Sequence, residues 1–348
     1  MSIEEHRLTR REILASSAVV LASSLIAGAQ TATNTPATGP ELIGDATSKP
    51  ATSKPATTTH AAGEGLGPII DVHQHTTYLG RKNQDLFAHQ HNMGVALTVL
   101  LPGGTPTKRP STHNGKTNGL YAGAGVTETC HEIVKQRPTE YRYFVNEVPD
   151  LPGAKERIEK FLNDGAIGIG EQKFNLPVDS KEMELIYDIA RAYKVPVLLH
   201  FQYEMFNTGY ENFQKVLKKY PDVNFIGHAQ TFWANIDAKH PDQKRLYPTG
   251  PVSKGGLTDR YLSDYPNLYG DLSAGSGLNS LKRDEDHARG FIERHQDRLL
   301  FGSDCPDPVG FGQPCTGSNL ITAIAKLSPT KHVMRKVLHD NAKKLLRI

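Results

Sequence analysis

The chain has 348 residues, with 40 basic and 37 acidic side chains and a formal net charge of +3. That length suits one large domain or two ordinary ones. The near balance of charge, without a basic arm or an acidic tail, removes the electrostatic footprint expected of a nucleic-acid binder.

The first feature along the chain is "LTRREIL" (8–14), which carries Arg10-Arg11 ahead of the moderately apolar stretch "ILASSAVVLASSLIAGA" (13–29). Serines interrupt that stretch, and it falls short of the roughly 20 apolar residues a spanning helix needs. It ends in Ala27-Gly28-Ala29, a small-x-small cleavage pattern. Residues 1–29 therefore resemble a twin-arginine signal peptide, which implies export to a periplasmic or other exported location and contact with the twin-arginine translocase. A retained membrane anchor is the alternative. No cysteine lies near the cleavage point, which argues against a lipoprotein signal. Residues 30–65 are rich in Ala, Thr, Ser and Pro, with "ATSKP" repeated in tandem over 46–55. Such a segment buries too little apolar surface to offset its ordering entropy and is expected to be a disordered linker.

From residue 66 to 348 the chain reads as one folded domain. Short apolar runs predict strands at 68–75, 94–101, 141–148, 166–174, 195–201, 223–229, 268–274 and 298–304. Helical segments alternate with them, at 154–164, 179–194, 211–220 and 284–296. In 179–194, Met183, Ile186, Tyr187, Ala190 and Tyr193 recur at helical spacing, and Asp179-Ser180 stands where an N-cap belongs. Eight strands alternating with helices predict a parallel sheet closed as a (β/α)8 barrel, a fold of about 250 residues. A doubly wound open sheet is the rival, disfavoured because no G-x-G-x-x-G follows the first strand. Two long connections, 102–121 and 230–267, follow strands and are expected on the barrel face that carries active sites. The second holds Trp233, Lys239, Arg245, Tyr247, Lys254 and Arg260.

The cysteines are Cys130, Cys305 and Cys315. None forms a C-x-x-C pair, so a cysteine zinc cluster is not expected. Cys305 and Cys315 can pair after export, or all three can stay free.

The chemistry lies at strand ends. In "DVHQH" (71–75), strict alternation puts Asp71, His73 and His75 on one face of a mostly buried strand. Two buried imidazoles need a holder: a metal, or hydrogen bonds within a core. His200 ends "VPVLL", His228 ends "VNFIG", and Asp304 ends "RLLFGS". In a barrel these ends converge on one mouth. Each unpaired polar group there would cost a few kcal/mol, so together they argue for a metal site. His60 falls in the linker, and His131, His287, His295 and His332 fall in polar segments where solvation is expected. In "GIGEQKF", Glu171 and Lys173 are two apart: Glu171 as a further or bridging ligand, Lys173 as a carbamate ligand, an anion holder or a simple partner of Glu171.

H-x-H on strand one, His on strands five and six and Asp on strand eight resemble the amidohydrolase superfamily. "GEQKFNLPVD", "YPNLYGDLSAGSG", "LLFGSDCP" and "HDNAKKLL" resemble its amidohydrolase-related branch of metal-dependent hydrolases and decarboxylases. The resemblance covers about 66–348. It implies that His73, His75 and Asp304 hold a first divalent ion, most simply Zn2+. His200 completes a one-ion site or joins His228 on a second ion, and Glu171 is a ligand in the two-ion version. Asp304 is implied as the proton acceptor for an activated water. His228, if not a ligand, would polarise the substrate carbonyl. Asp71 is a supporting group or a partner for buried backbone donors, and Trp233 a wall of the pocket or a supporting group behind it. The expected function is an exported hydrolase of an amide, lactone or ester bond in a small-molecule substrate. The alternatives are a non-oxidative decarboxylase on the same site, a TatD-like nuclease, which the charge balance disfavours, and a metal-stabilised barrel that only binds a ligand. Nothing in the chain argues against a homo-oligomer.

Overall fold

The apolar runs form strands β1 (Ile69–Gln74), β2 (Val95–Leu100), β3 (Tyr141–Tyr143), β4 (Ile169–Gln172), β5 (Val197–His200), β6 (Phe225–His228), β7 (Leu268–Asp271) and β8 (Leu299–Leu300). The computed structural model describes residues 65–112, 123–240 and 242–348. The signal peptide expected over 1–29, the linker expected over 30–65 except for its last residue, and part of the 102–121 connection lie outside the described residues.

All strand pairs are parallel, in the orders β1-β2-β3 and β4-β5-β6-β7-β8. Backbone bonds close the two arcs into a barrel. Val145 pairs with Ile169 between β3 and β4, and Val72 N–H donates to Phe301 O (3.0 Å) between β1 and β8. β3 and β8 are shorter than the segments predicted at 141–148 and 298–304.

The helices are α1 (Asn83–Asn92), α2 (Thr127–Gln136), α3 (Ala154–Asn163), α4 (Lys181–Tyr193), α5 (Phe213–Lys219), α6 (Gln230–Ala234), α7 (Leu257–Asp264), α8 (Ala274–Lys282), α9 (Glu285–Arg294), α10 (Thr316–Leu327), α11 (Lys331–Arg335) and α12 (Asn341–Leu346). Ser180 caps α4 as the sequence suggests, its Oγ accepting from Met183 N–H at 3.3 Å. The 230–267 connection is not irregular throughout, since it contains α6 and α7.

Two apolar layers result from strand alternation. Ile70, Val72, Val99, Phe144, Leu198, Ile226, Tyr269 and Leu300 fill the inner cluster, joined by Ala342, Leu345 and Leu346 of α12. The alternate residues Ile69, Leu100, Val197, Leu199, Phe225, Leu268 and Leu299 pack outward with the helices. Each fully buried side chain of this size contributes about 1.5–3 kcal/mol, so the mouth rests on a rigid support.

The inward set corrects the expectation for strand one. Ile70 and Val72 point into the barrel, so Asp71 points the other way and accepts from Gln90 of α1 at 2.9 Å. A register shift between Asp71 and Gln74 breaks the alternation. One extra residue on β1 re-aims the chain, and this brings His73 and His75, but not Asp71, into the mouth.

Candidate metal centre

His73, His75, Glu171, His200 and His228 are all buried, and Asp304 sits among them at 11 % side-chain exposure. His73 and His75 bring their Nε2 atoms to 3.2 Å of each other. Asp304 Oδ1 lies 3.2 Å from His75 Nε2 and 3.8 Å from His73 Nε2. Glu171 Oε2 lies 3.5 and 3.6 Å from the same two nitrogens. His228 Nε2 lies 3.7 Å from Asp304 Oδ2 and 3.8 Å from Glu171 Oε1. His200 turns Nδ1 to the centre, in close contact with Glu171 Oε1.

The outer partners decide which nitrogen carries a proton. His75 Nδ1 donates to Leu101 O at 2.7 Å. His73 Nδ1 donates to Asp271 Oδ2 at 2.7 Å. Ser273 Oγ donates to Asp271 Oδ2 (2.8 Å), so it accepts from His228 Nδ1 (3.0 Å). In its neutral form each of the three rings therefore carries its proton on Nδ1 and presents a bare Nε2 to the centre. A bare nitrogen cannot donate, which removes the role of a neutral His228 as a polariser of a substrate carbonyl.

Electrostatics describe the same deficit of positive charge. Burial alone would push the His73 imidazole down, but Asp304 and Asp271 hold it well above its ordinary range. Burial alone would raise the Glu171 carboxyl, but His200 and Lys173 hold it well below its ordinary value. Asp304 is likewise held low, against burial, chiefly by the charge of His73. Burial, helped by Lys173, takes His200 down to about 4, and burial and His73 lower His228.

The donor set fits a divalent metal. Bare imidazole nitrogens and carboxylate oxygens are the ligands of zinc and similar ions. Asp304 Oδ1 is buried and has no hydrogen-bond partner, although it faces His75 Nε2. An anionic oxygen left so placed is costly unless a cation stands beside it. Two triads, His73–His75–Asp304 and His73–Glu171–His228, each bring one donor atom per residue within 4.8 Å of the others.

Supporting residues hold the centre in place. Asp304 has φ 41°, a left-handed backbone that Asp tolerates better than most residues, and its N–H donates to His73 O at 2.8 Å. A Cβ on Gly302 would stand 2.6 Å from Asp271 Oδ1 and 2.7 Å from His73 Cβ, so only glycine lets β8 approach this closely. Asp71 accepts from His73 N–H (3.0 Å), Ser303 N–H (2.9 Å) and Ser303 Oγ–H (2.6 Å). It satisfies buried donors and locks β1 to the β8 loop, without reaching any metal-facing nitrogen.

Other expected residues lie elsewhere. Lys173 sets its ammonium 5.6 Å over the Phe206 ring and, among the described residues, makes no ion pair with Glu171. Trp233 is not a pocket wall: it is buried on Phe232 and Phe291, and its indole N–H donates to Asp271 O at 2.8 Å. His287 and His295 are buried rather than solvated, and His295 Nε2 meets Asp259 Oδ1 at 2.6 Å. Asp271 and Ser273 escaped the sequence reading. The signal was present, since Asp271 ends an apolar strand as Asp304 does. Tyr78 also escaped it, being in a turn; its ring stands edge-on to His75 at 4.7 Å.

Comparison with known proteins identifies the family and the fold. The amidohydrolase family profile matches residues 70–348. No curated relative matches the chain. Among solved structures, 2,6-dihydroxybenzoate decarboxylase from Rhizobium is similar with TM-score 0.50 and 14% identity, covering 80% of this chain and 98% of that one. A probable 2-pyrone-4,6-dicarboxylic acid hydrolase from Acinetobacter baumannii, with citric acid bound, has TM-score 0.52 and 12% identity, covering 80% and 99%. An uncharacterized TIM-barrel protein from Bordetella bronchiseptica has TM-score 0.52 and 15% identity, covering 80% and 98%. At these identities the likeness is one of fold.

Proposed function

Since the chain belongs to the amidohydrolase family, we propose that it hydrolyses an ester, lactone or amide bond of a small molecule, with one or two divalent ions, most simply Zn2+, at the mouth of the barrel. The observation that carries this reading is the buried, unpartnered Asp304 Oδ1 facing bare imidazole nitrogens. What a divalent ion supplies when bound there is polarisation of the substrate and a fall in the pKa of water from about 15.7 to near 7.

The chain's own residues do the rest. His73, His75 and Asp304 hold the ion, with Glu171, His200 and His228 available to extend the site. Asp304 accepts a proton from the attacking water and returns it to the leaving group. His228 serves as a ligand or proton acceptor through its bare Nε2. Asp271 keeps the protons of His73 and His228 on Nδ1. Lys173, close enough to lower both Glu171 and His200, binds an anionic group of the substrate. A depression lined by Gln202, Asn207, Tyr210, Thr231, Asn235 and Leu257 receives the part of the substrate that does not react. Export through the twin-arginine route, from Arg10-Arg11, belongs to the same proposal.

The second reading is decarboxylation, favoured by the fold likeness to a dihydroxybenzoate decarboxylase. A panel of lactones, aryl esters, amides and aromatic carboxylates, each scored for both acid and carbon dioxide release, separates the two. Acid release from an ester, lactone or amide is the expected result. Carbon dioxide from a carboxylate, with no hydrolysis of any ester, lactone or amide, replaces the hydrolase reading with the decarboxylase one.

A further inference from the structure

Outside the mouth, a second group of ligand-type side chains converges in the core. His89 and Met93 come from α1 and its C-terminus. Cys305 directly follows Asp304, and Cys315 precedes α10. All four are at 0 % exposure. His89 Nε2 lies 3.4 Å from Cys315 Sγ, and Met93 Sδ lies 3.8 Å from the same sulfur. One donor atom each of His89, Cys305 and Cys315 lies within 4.8 Å of the other two.

We propose that His89, Cys305 and Cys315 form a second, structural metal site for a thiophilic d10 ion, Zn2+ or Cu+, with the Met93 thioether as the adjoining fourth donor. The proposal does not depend on the reaction at the mouth.

Geometry is the first argument. In a tetrahedral site with metal–sulfur bonds of about 2.3 Å and metal–nitrogen bonds of about 2.0–2.1 Å, neighbouring donors stand about 3.8 Å apart for two sulfurs and about 3.5 Å apart for sulfur and nitrogen. The observed 3.8 and 3.4 Å match those edges. Chemistry is the second argument. Two thiols, a thioether and an imidazole make a soft donor set that selects copper(I) or zinc over magnesium or calcium. The third argument is the histidine itself. Its Nδ1 is buried with no hydrogen-bond partner, so the ring is held by what its Nε2 faces, and that is sulfur.

The surroundings are built for the site. Cys315 caps α10, its Sγ accepting from Ser318 N–H at 3.3 Å. A Cβ on Gly317 would stand 2.6 Å from Met93 Sδ, and one on Gly310 would stand 2.3 Å from His89 O. Glycine at both places lets the β8 loop and α10 close on α1. The missing C-x-x-C does not count against the site, because the ligands come from three separate segments that only the folded barrel brings together. Binding converts two thiols to thiolates and releases two protons to solvent. The bound ion would staple the loop that carries Asp304 to α1. That loop is also tied to β1, since Cys305 O accepts from Gln74 Nε2 (3.1 Å) and Arg81 Nη1 (2.7 Å).

A disulfide between Cys305 and Cys315 is the competing arrangement. It would leave the aim of His89 and the placement of Met93 without purpose. The test uses the full chain produced in zinc-depleted medium supplied with Co2+ and purified with a reductant. The site at the mouth contains no sulfur, so a thiolate-to-cobalt charge-transfer band reports the second site alone. The expected result is such a band in the wild type and in Cys130→Ser, lost in Cys315→Ser and weakened in His89→Gln. In zinc- or copper-grown protein, one equivalent of metal per chain should be lost in Cys315→Ser. Absence of the band in folded wild type, with three free thiols on denaturation, overturns the proposal even if the variants do not fold. In a separate preparation purified without reductant, detection of only one free thiol on denaturation also overturns it, in favour of the disulfide.

Discussion

Replacing Asp271 by Asn removes one charge and no volume, yet it should weaken metal binding at the mouth. Asp271 Oδ2 accepts from His73 Nδ1 and from Ser273 Oγ, and its Oδ1 accepts from Ser273 N–H at 2.9 Å. An amide offers one oxygen in place of two. If its NH2 takes the Oδ2 position, it meets the His73 Nδ1 proton donor to donor. His73 then moves its proton to Nε2, the atom that should bind the ion. If the amide turns over, the NH2 meets Ser273 N–H instead, and the β7 end shifts. Losing such a partner of a ligating histidine costs 10–100-fold in metal affinity, which is about 1.4–2.8 kcal/mol. Competition of wild type and Asp271→Asn against a chelator of known affinity reads this directly, with circular dichroism to confirm the fold. A folded Asp271→Asn protein with metal affinity within twofold of wild type would refute the argument that Asp271 sets the His73 tautomer.

Asp304→Asn keeps an oxygen and a backbone that tolerates φ 41°, but it cannot take up a proton, so turnover should fall by about 10²–10⁴ while thermal unfolding stays close to wild type; steady-state rates and calorimetry check both. Burial alone would raise Asp259, yet bonds from His295 and Arg294 take it from 3.8 to about 2. A lowered carboxylate stabilises the fold above its unfolded value and loses that contribution as pH falls through the folded one. Asp259→Asn should therefore cost about 2 kcal/mol at neutral pH, and the gap should narrow as pH falls below 3.8 toward 2; urea unfolding across that range would contradict it with a gap independent of pH. Arg10→Lys with Arg11→Lys should leave precursor in the cytoplasm on fractionation.

Much of the mouth was legible because a polar residue closing an apolar run is rare and meaningful. His73, His75, His200, His228 and Asp304 all follow that rule. So does Asp271, but the strand predicted over 268–274 runs past it and hides that it closes the apolar run. What was not legible came from register. Strict alternation put Asp71 beside His73, but one extra residue in β1 turned them apart, and no local property of "IIDVHQ" announces the shift. Trp233 supports the site instead of lining it, because its long connection folds back as α6, where the ring packs on Phe232 and Phe291 and donates to Asp271 O. Polar neighbours hid the burial of His295, whose partner Asp259 lies on another helix. The convergence of Cys305, Cys315 and His89 depends wholly on the closed barrel.

The central claim is that the His–Glu–Asp cluster at the mouth holds a divalent ion required for turnover. The most direct measurement is the rate on the best substrate of the panel for protein stripped of metal with a chelator, then titrated with Zn2+ or Mn2+. The account predicts that activity disappears on stripping and returns on titration in wild type, but does not return in His73→Ala at the same concentrations. Full turnover by stripped protein, or recovery of the His73→Ala variant to the wild-type level, would contradict it.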